Sequence, residues 1–284
     1  MTGPVLMCRP DHFGIEYEIN PWMNVAIQVD HALAQAQWEA LHRTYVELGV
    51  EIELAAPVAG LPDMVFTANA AVVWDGRAVL ANFHHRERQG EEPHWRAELE
   101  RLRFEVHELP RSLSFEGAGD ALFVGDRLFC GTGFRTDRAS HRPVARILEV
   151  EVVSLELVDP RFYHLDTCFC PLDANTVIAA PEAFSPGSAQ LIRELVPNLI
   201  EVPAEVAAGF ACNAMPLGTQ VVSSLTIAQL AEPLRAAGFT VIPMAMGEFL
   251  KAGGGVRCLS LPLGVGSPSG QVTPRNTQAS PDNL

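Results

Sequence analysis

Val50-Glu51-Ile52, Phe104-Glu105-Val106, Val150-Glu151-Val152, Ile200-Glu201-Val202 and Phe239-Thr240-Val241 repeat one pattern, apolar, polar, apolar, five times along the chain. Each reads as a strand with alternating faces. Their third residues lie 54, 46, 50 and 39 positions apart, and each copy is followed by a proline: Pro57, Pro110, Pro160, Pro203 and Pro243. Spacing of this kind marks an internal repeat.

Working outward, a helical pattern precedes each copy: His31 to Leu48, Pro93 to Leu102, His141 to Leu148, Ser188 to Leu195 and Thr226 to Ala237. Apolar residues recur there at three- and four-residue intervals. Alternating runs broken by turn residues follow the copies. Ala68 to Ala81 turns at Asp75-Gly76, Asp120 to Cys130 at Gly125-Asp126, Cys168 to Ala179 near Asp173-Ala174-Asn175, and Ala211 to Leu225 at Leu217-Gly218. The unit is hairpin, helix, strand, or ββαβ. Four hairpins are whole and the fifth is split between Val256 to Leu263 and Pro4 to Cys8. These halves pair if the units close into a ring, which removes exposed strand edges. The expected fold is therefore an α/β five-bladed propeller over residues 1–264, closed by its N- and C-terminal strands. Arg9 to Asp30 falls outside the repeat and is expected to cover one mouth of the ring. Residues 265–284, rich in Ser, Pro, Gly, Gln and Asn, read as a disordered polar tail.

The 284 residues are 48% hydrophobic, ample for a sizeable core, and carry 20 Lys+Arg against 34 Asp+Glu, a formal charge of -14. That balance disfavours nucleic acid and anionic membranes and favours small cations. The first residues lack a secretory signal and no stretch reaches the length of a membrane span, so a cytoplasmic protein is expected. Its six cysteines are scattered through apolar segments and expected to be reduced. There is no CxxC pair, no HExxH and no ligand spacing among the histidines, so neither a metal nor a cofactor is expected. The sequence leaves the oligomeric state open.

Gly253-Gly254-Gly255-Val256-Arg257-Cys258 delivers one thiol to the head of the last apolar strand, with glycines leaving room above it. Counting forward from each repeated strand, Asp63 lies 11 after Ile52, Glu116 lies 10 after Val106, His164 lies 12 after Val152, Cys212 lies 10 after Val202 and Cys258 lies 17 after Val241. Any one of these alone reads equally well as a turn, cap or core residue. In a closed ring, matching positions sit at one level, so the set is expected to converge on one pocket. Cys258 and His164 then form a nucleophile and base, and Glu116 or a neighbour orients the imidazole. Asp63, Asp120 and Asp166 add negative charge suited to a planar cation such as guanidinium. Cys212 has no acid or histidine nearby and reads as core.

Four stretches resemble the site motifs of the guanidino-group modifying (pentein) superfamily: Pro62-Asp63-Met64-Val65-Phe66, Phe115-Glu116-Gly117-Ala118-Gly119-Asp120, Tyr163-His164-Leu165-Asp166 and the glycine-rich approach to Cys258. Asn20-Pro21-Trp22-Met23, Phe66-Thr67-Ala68-Asn69, Glu87 to Pro93 and Asp166-Thr167-Cys168-Phe169-Cys170 are most similar to the cyanobacterial arginine dihydrolase module. The resemblance implies that Asn20, Asn69, Arg88 and Arg135 hold an amino acid substrate, with the arginines on its α-carboxylate. It implies attack of Cys258 on the guanidinium carbon, a thiouronium intermediate, and His164 moving protons, carrying arginine to ornithine, carbon dioxide and two ammonia. Dimethylarginine dimethylaminohydrolase, arginine deiminase and amidinotransferase are the enzymatic alternatives, and a non-catalytic arginine-binding protein is the rival of another class. Dimethylarginine enzymes carry an acidic pair where this chain has Ala68-Asn69, which weighs against that alternative.

Overall fold

The computed structural model describes residues 3–264; the tail expected at 265–284 lies outside the described residues. Fifteen strands form five three-stranded sheets. The first sheet takes β1 (Val5–Cys8) and β2 (Ile52–Ala55). The second takes β3 (Ala71–Trp74), β4 (Arg77–Leu80) and β5 (Glu105–His107). The third holds β6 (Ala121–Val124), β7 (Arg127–Thr132) and β8 (Val152–Glu156), and the fourth β9 (Phe169–Pro171), β10 (Thr176–Ala179) and β11 (Asn198–Glu201). The fifth holds β12 (Met215–Leu217), β13 (Gln220–Ser224) and β14 (Thr240–Met244), and β15 (Leu261–Pro262) completes the first.

Every sheet is built alike: an antiparallel pair, then a parallel third strand, as in β3 with β4 and β4 with β5. A parallel neighbour needs a crossover, and the helices supply it. In the first sheet the antiparallel pair comes from the two ends of the chain, with Val5 opposite Pro262 and Leu6 opposite Leu261, and β2 runs parallel to β1. This is the pentein propeller, closed by the split hairpin.

Local sequence explains the elements. Asp75 and Gly76 have φ of 46° and 76°, the two positive values a two-residue type I′ hairpin needs. Asp30 caps the helix His31–Glu47 by accepting from the Leu33 amide. Trp95 and Leu99, one turn apart on the helix Glu92–Arg101, are fully buried against β4 residues Ala78 and Leu80. Removing a side chain such as Trp95 would cost about 3–5 kcal/mol.

Two expectations need correction. The repeated triplets mark the start of β5, β8 and β14 and the end of β11, and Val50-Glu51 precedes β2. The segment Thr226 to Ala237 is not one helix but a 3-10 stretch, Leu225–Leu230, followed by an α-helix, Ala231–Ala236. Pro233 has no N–H for the Gln229 carbonyl and its ring crowds that group, so α geometry begins afresh where proline falls in a first turn. Arg9 to Asp30 does cover one mouth. Asn20 Nδ2 donates to the Ala252 carbonyl at 3.0 Å and Trp22 Nε1 to that of Arg161 at 3.0 Å. Among the described residues no helix is long and apolar enough to cross a membrane.

Candidate active site

Strands β3, β6, β9, β12 and β15 all line one axial cavity, so they are the inner strands. Just ahead of each stands a buried polar or thiol residue: Asn69, Asp120, Asp166, Asn213 and Cys258. The repeat thus places a polar or thiol side chain at the matching position of every blade.

Cys258 sits in a turn three residues before β15, rather than at the head of the strand. A Cβ at Gly254 would collide with the Phe66 ring, and one at Gly255 would stand 2.8 Å from Asn213 Oδ1. The glycines therefore let the thiol's turn approach these two side chains. Asn213 Oδ1 accepts from the Arg257 and Cys258 amides at 3.0 and 3.2 Å, and its Nδ2 donates to Cys258 Sγ at 3.1 Å. The thiol also faces Asp166 Oδ2 at 3.4 Å. Burial and the Asp166 charge push the Cys258 thiol well above its ordinary value, so the resting sulfur is protonated.

No hydrogen bond joins Cys258 to His164. The imidazole instead meets Glu116, with Nε2 2.7 Å from Oε2. Burial works against ionisation of Glu116, yet Arg135, whose Nη1 donates to the same oxygen at 2.9 Å, and His164 hold its carboxyl well below the usual range. An ionised carboxylate only accepts, so Nε2 carries a proton, and among the described residues the buried Nδ1 has no partner. Asp120 stands behind this pair, both oxygens engaged, with Thr136 Oγ1 at 2.7 Å and the Leu165 amide at 3.0 Å. It braces the His164 segment and does not line the cavity beside Cys258.

The cavity beside Cys258 is lined by Asn20, Asp63, Asn69, Arg88, Arg135, Tyr163 and Cys258, among others. Arg88 is fully buried. Its Nε and Nη2 donate to Glu91 at 2.7 and 2.9 Å, and its Nη1 to Asn69 Oδ1 at 2.8 Å. Arginine can only donate, so the Asn69 oxygen must face Arg88 and its NH₂ must face elsewhere. Gly119 makes room for that NH₂, because a Cβ there would overlap Asn69 Nδ2 while lying 3.4 Å from His164 Nδ1. Arg135 stacks over Tyr163 at 4.9 Å and donates to the Ile19 carbonyl at 2.8 Å. Asn20 uses its oxygen on the Trp22 and Met23 amides, which shapes the covering segment.

Buried polar atoms normally find partners. Among the described residues Asp63 Oδ1, Asn69 Nδ2, His164 Nδ1 and Asp166 Oδ1 have none, and all four belong to this site. Burial raises Asp63 to about 6 and Asp166 to about 7. Together they offer two acceptors, one donor and one proton-shuttling nitrogen around a thiol.

Cys212 is core, as the lack of an acid or histidine in its segment predicts. It is a fully buried member of an apolar cluster, and its neighbour Asn213 holds the nucleophile's turn. The count reached the right segment, but a search for acids and imidazoles passes over an amide. Tyr163, beside His164, adds a contact that spacing alone does not reveal: its hydroxyl donates to the Gly253 carbonyl at 2.7 Å.

A protein family described as N,N dimethylarginine dimethylhydrolase, eukaryotic, matches residues 9–264. The bifunctional arginine dihydrolase/ornithine cyclodeaminase ArgZ of Synechocystis is 46% identical over 90% of this chain, which spans only 37% of that protein. An N(G),N(G)-dimethylarginine dimethylaminohydrolase of Mycobacterium tuberculosis is 43% identical, with 92% of this chain and 86% of that protein covered. The solved N-terminal domain of an ArgZ variant, covalently bound to a reaction intermediate, has a TM-score of 0.91 at 45% identity, with 93% and 98% of the two chains covered.

Proposed function

Because the chain belongs to the dimethylarginine dimethylhydrolase family, we propose that it hydrolyses the guanidino group of arginine through a covalent bond to Cys258 and carries the product on to ornithine. The observation behind the second step is the Asn69 amide, whose oxygen is tied to Arg88 and whose buried NH₂ has no partner. A guanidinium group has only donors and gives that NH₂ nothing to bind. A ureido group has an oxygen that accepts.

In this reading the guanidinium enters against Asp63 and Asp166, and its positive charge lowers the cost of the Cys258 thiolate. The thiol proton passes to His164 Nδ1 and sulfur attacks the central carbon. The terminal C–N bond breaks, and ammonia leaves with a proton from His164 Nδ1, while Glu116 stabilises the imidazolium formed in between. Water then loses a proton to Nδ1 and adds to the thiouronium carbon. The C–S bond breaks, leaving a ureido group and the free thiol. A second round on the ureido carbon expels another ammonia, and hydrolysis of the resulting thiocarbamate gives a carbamate that falls apart to carbon dioxide and ornithine. Arginine and two waters balance ornithine, carbon dioxide and two ammonia. Arg88 and Arg135 line the cavity and are assigned to the α-carboxylate.

A second reading, release of dimethylamine from dimethylarginine, is supported by the mycobacterial relative. The two part on the amine released. Supplied with equal arginine and dimethylarginine, the protein is expected to release ammonia from arginine as the faster reaction. Faster release of dimethylamine would replace this proposal with the second reading.

A further inference from the structure

Adjacent residues line two different cavities on the propeller axis: Cys258 the catalytic one and Arg257 a second one beyond it. This chamber has a volume of about 240 Å³, well above the ~10–15 Å³ that a single water needs. All five inner strands contribute to its wall, through Val73, Leu122, Phe169, Pro216 and Leu261. An apolar chamber with one convergent charge has the form of a small-molecule site.

Arg257 supplies that charge. It is only 9% exposed, its amide is held by Asn213, and among the described residues the one hydrogen-bond partner of its guanidinium is the Met215 sulfur, 3.5 Å from Nη1. Its nearest counter-charge, Asp166, turns its carboxylate to Cys258, and no ion pair within 4.0 Å joins the two. Asp173 at the rim uses its carboxylate on the Asn175 and Thr176 amides, at 2.8 and 2.7 Å. A buried guanidinium without a carboxylate is costly, and burial indeed lowers Arg257 from its ordinary value. The other two buried arginines among the described residues, both in the catalytic cavity, have such a partner: Arg88 has Glu91 and Arg135 has Glu116.

We propose that the cavity beyond the catalytic centre binds a small organic acid, its carboxylate on Arg257 and its compact apolar body among the inner strands. A carboxylate would give the guanidinium the planar two-point partner it lacks. The apolar walls select a hydrocarbon body over a second charge. This site is independent of the catalytic proposal and shares no ligand group with it.

Hexanoate, with eight non-hydrogen atoms, is the probe, and hexanamide is its neutral counterpart. Both are titrated into the full chain carrying ¹³C-methyl methionine, observed by NMR. Met215 touches Arg257, whereas Met23 lines the catalytic cavity. Hexanoate is expected to shift the Met215 methyl and leave Met23 in place, with at least about tenfold tighter binding than hexanamide. Arg257→Lys should keep the preference and Arg257→Met should lose it. Equal affinity for acid and amide, no binding of hexanoate, or shifts at Met23 in place of Met215 would overturn the proposal. The acid–amide pair is read on the unaltered protein, so the test stands even if Arg257→Met fails to fold.

Discussion

The five inner strands have two unlike ends. At one end stand Asn69, Asp120, Asp166, Asn213 and Cys258; toward the other the same strands present Val73, Leu122, Phe169, Pro216 and Leu261 to an apolar chamber. The polar residues stand on the 3-10, helical and turn segments that lead into the strands, and the apolar ones on the strands themselves. The polar end keeps four buried atoms without partners, an arrangement that costs stability and is retained for chemistry. The apolar end holds the blades together. Substitutions at the first should therefore remove activity with little loss of fold, and substitutions at the second the reverse.

The widest separation is expected at Cys258. Cys258→Ser should lower turnover of arginine by at least about 10³-fold, because a serine hydroxyl provides almost no anion near neutral pH, while the thermal midpoint stays close to that of the unaltered protein. Cys212→Ala, one blade away, should leave kcat nearly unchanged. If the Cys212 variant were dead and the Cys258 variant active, the nucleophile would be in the wrong blade. Leu122→Ala tests the opposite end. Denaturant unfolding should show a loss of about 2–5 kcal/mol, with kcat retained at temperatures where the variant is folded.

A smaller effect is predicted at Asn213, which belongs to the polar end yet touches no substrate in the proposed mechanism. Its Nδ2 donates to the sulfur and its Oδ1 fixes the amides of Arg257 and Cys258. Losing a hydrogen bond to a charged group costs about 1.5–3 kcal/mol, so Asn213→Ala should lower kcat about 10- to 100-fold. KM should change little. Iodoacetamide labelling of Cys258 should slow in parallel, which a general weakening of the fold would not produce.

The mildest probe is pH. Burial raises Asp63 to about 6 and Asp166 to about 7, so both carboxylates ionise later than usual. Guanidinium needs them ionised, hence kcat/KM for arginine should rise as pH increases through about 6 to 7. Stability runs the other way. A carboxyl whose folded pKa exceeds its unfolded value favours the fold while protonated, and that contribution is lost as pH rises through the folded pKa. The ligand-free protein should lose thermal stability as pH rises from about 4 to about 7, and Asp166→Asn should suppress part of that loss while abolishing activity. An Asp166→Asn profile matching the unaltered protein would mean that Asp166 does not titrate there.

Much of this contrast can be read in the chain because the repeat encodes it. Five strand triplets, hairpin turns such as Asp75-Gly76 and the split pair at the two termini determine which strands line the axis, and counting along them reaches Asp63, Glu116, His164 and Cys258. Three features escape that reading. The boundary inside Thr226 to Ala237 depends on where one proline falls in a turn. Asn213 is an amide in a segment where an acid or imidazole was sought. The thiol's resting partners depend on side-chain direction, so the count brings Cys258 and His164 into one ring without revealing that the sulfur hydrogen-bonds Asp166 and Asn213 and the imidazole Glu116. The sequence also leaves Asn69 able to serve as donor or acceptor; only the position of Arg88 commits its oxygen.

That commitment is the centre of the account, and amino acid analysis of completed arginine reactions tests it directly. The unaltered protein is predicted to yield ornithine with two equivalents of ammonia and only transient citrulline. Asn69→Asp replaces the donor facing the ureido oxygen by a carboxylate that repels it, a penalty of about 1–3 kcal/mol, so citrulline should accumulate and ornithine formation should fall about tenfold or more. An unaltered protein that stops at citrulline, or an Asn69→Asp variant that makes ornithine at the unaltered rate, would contradict it.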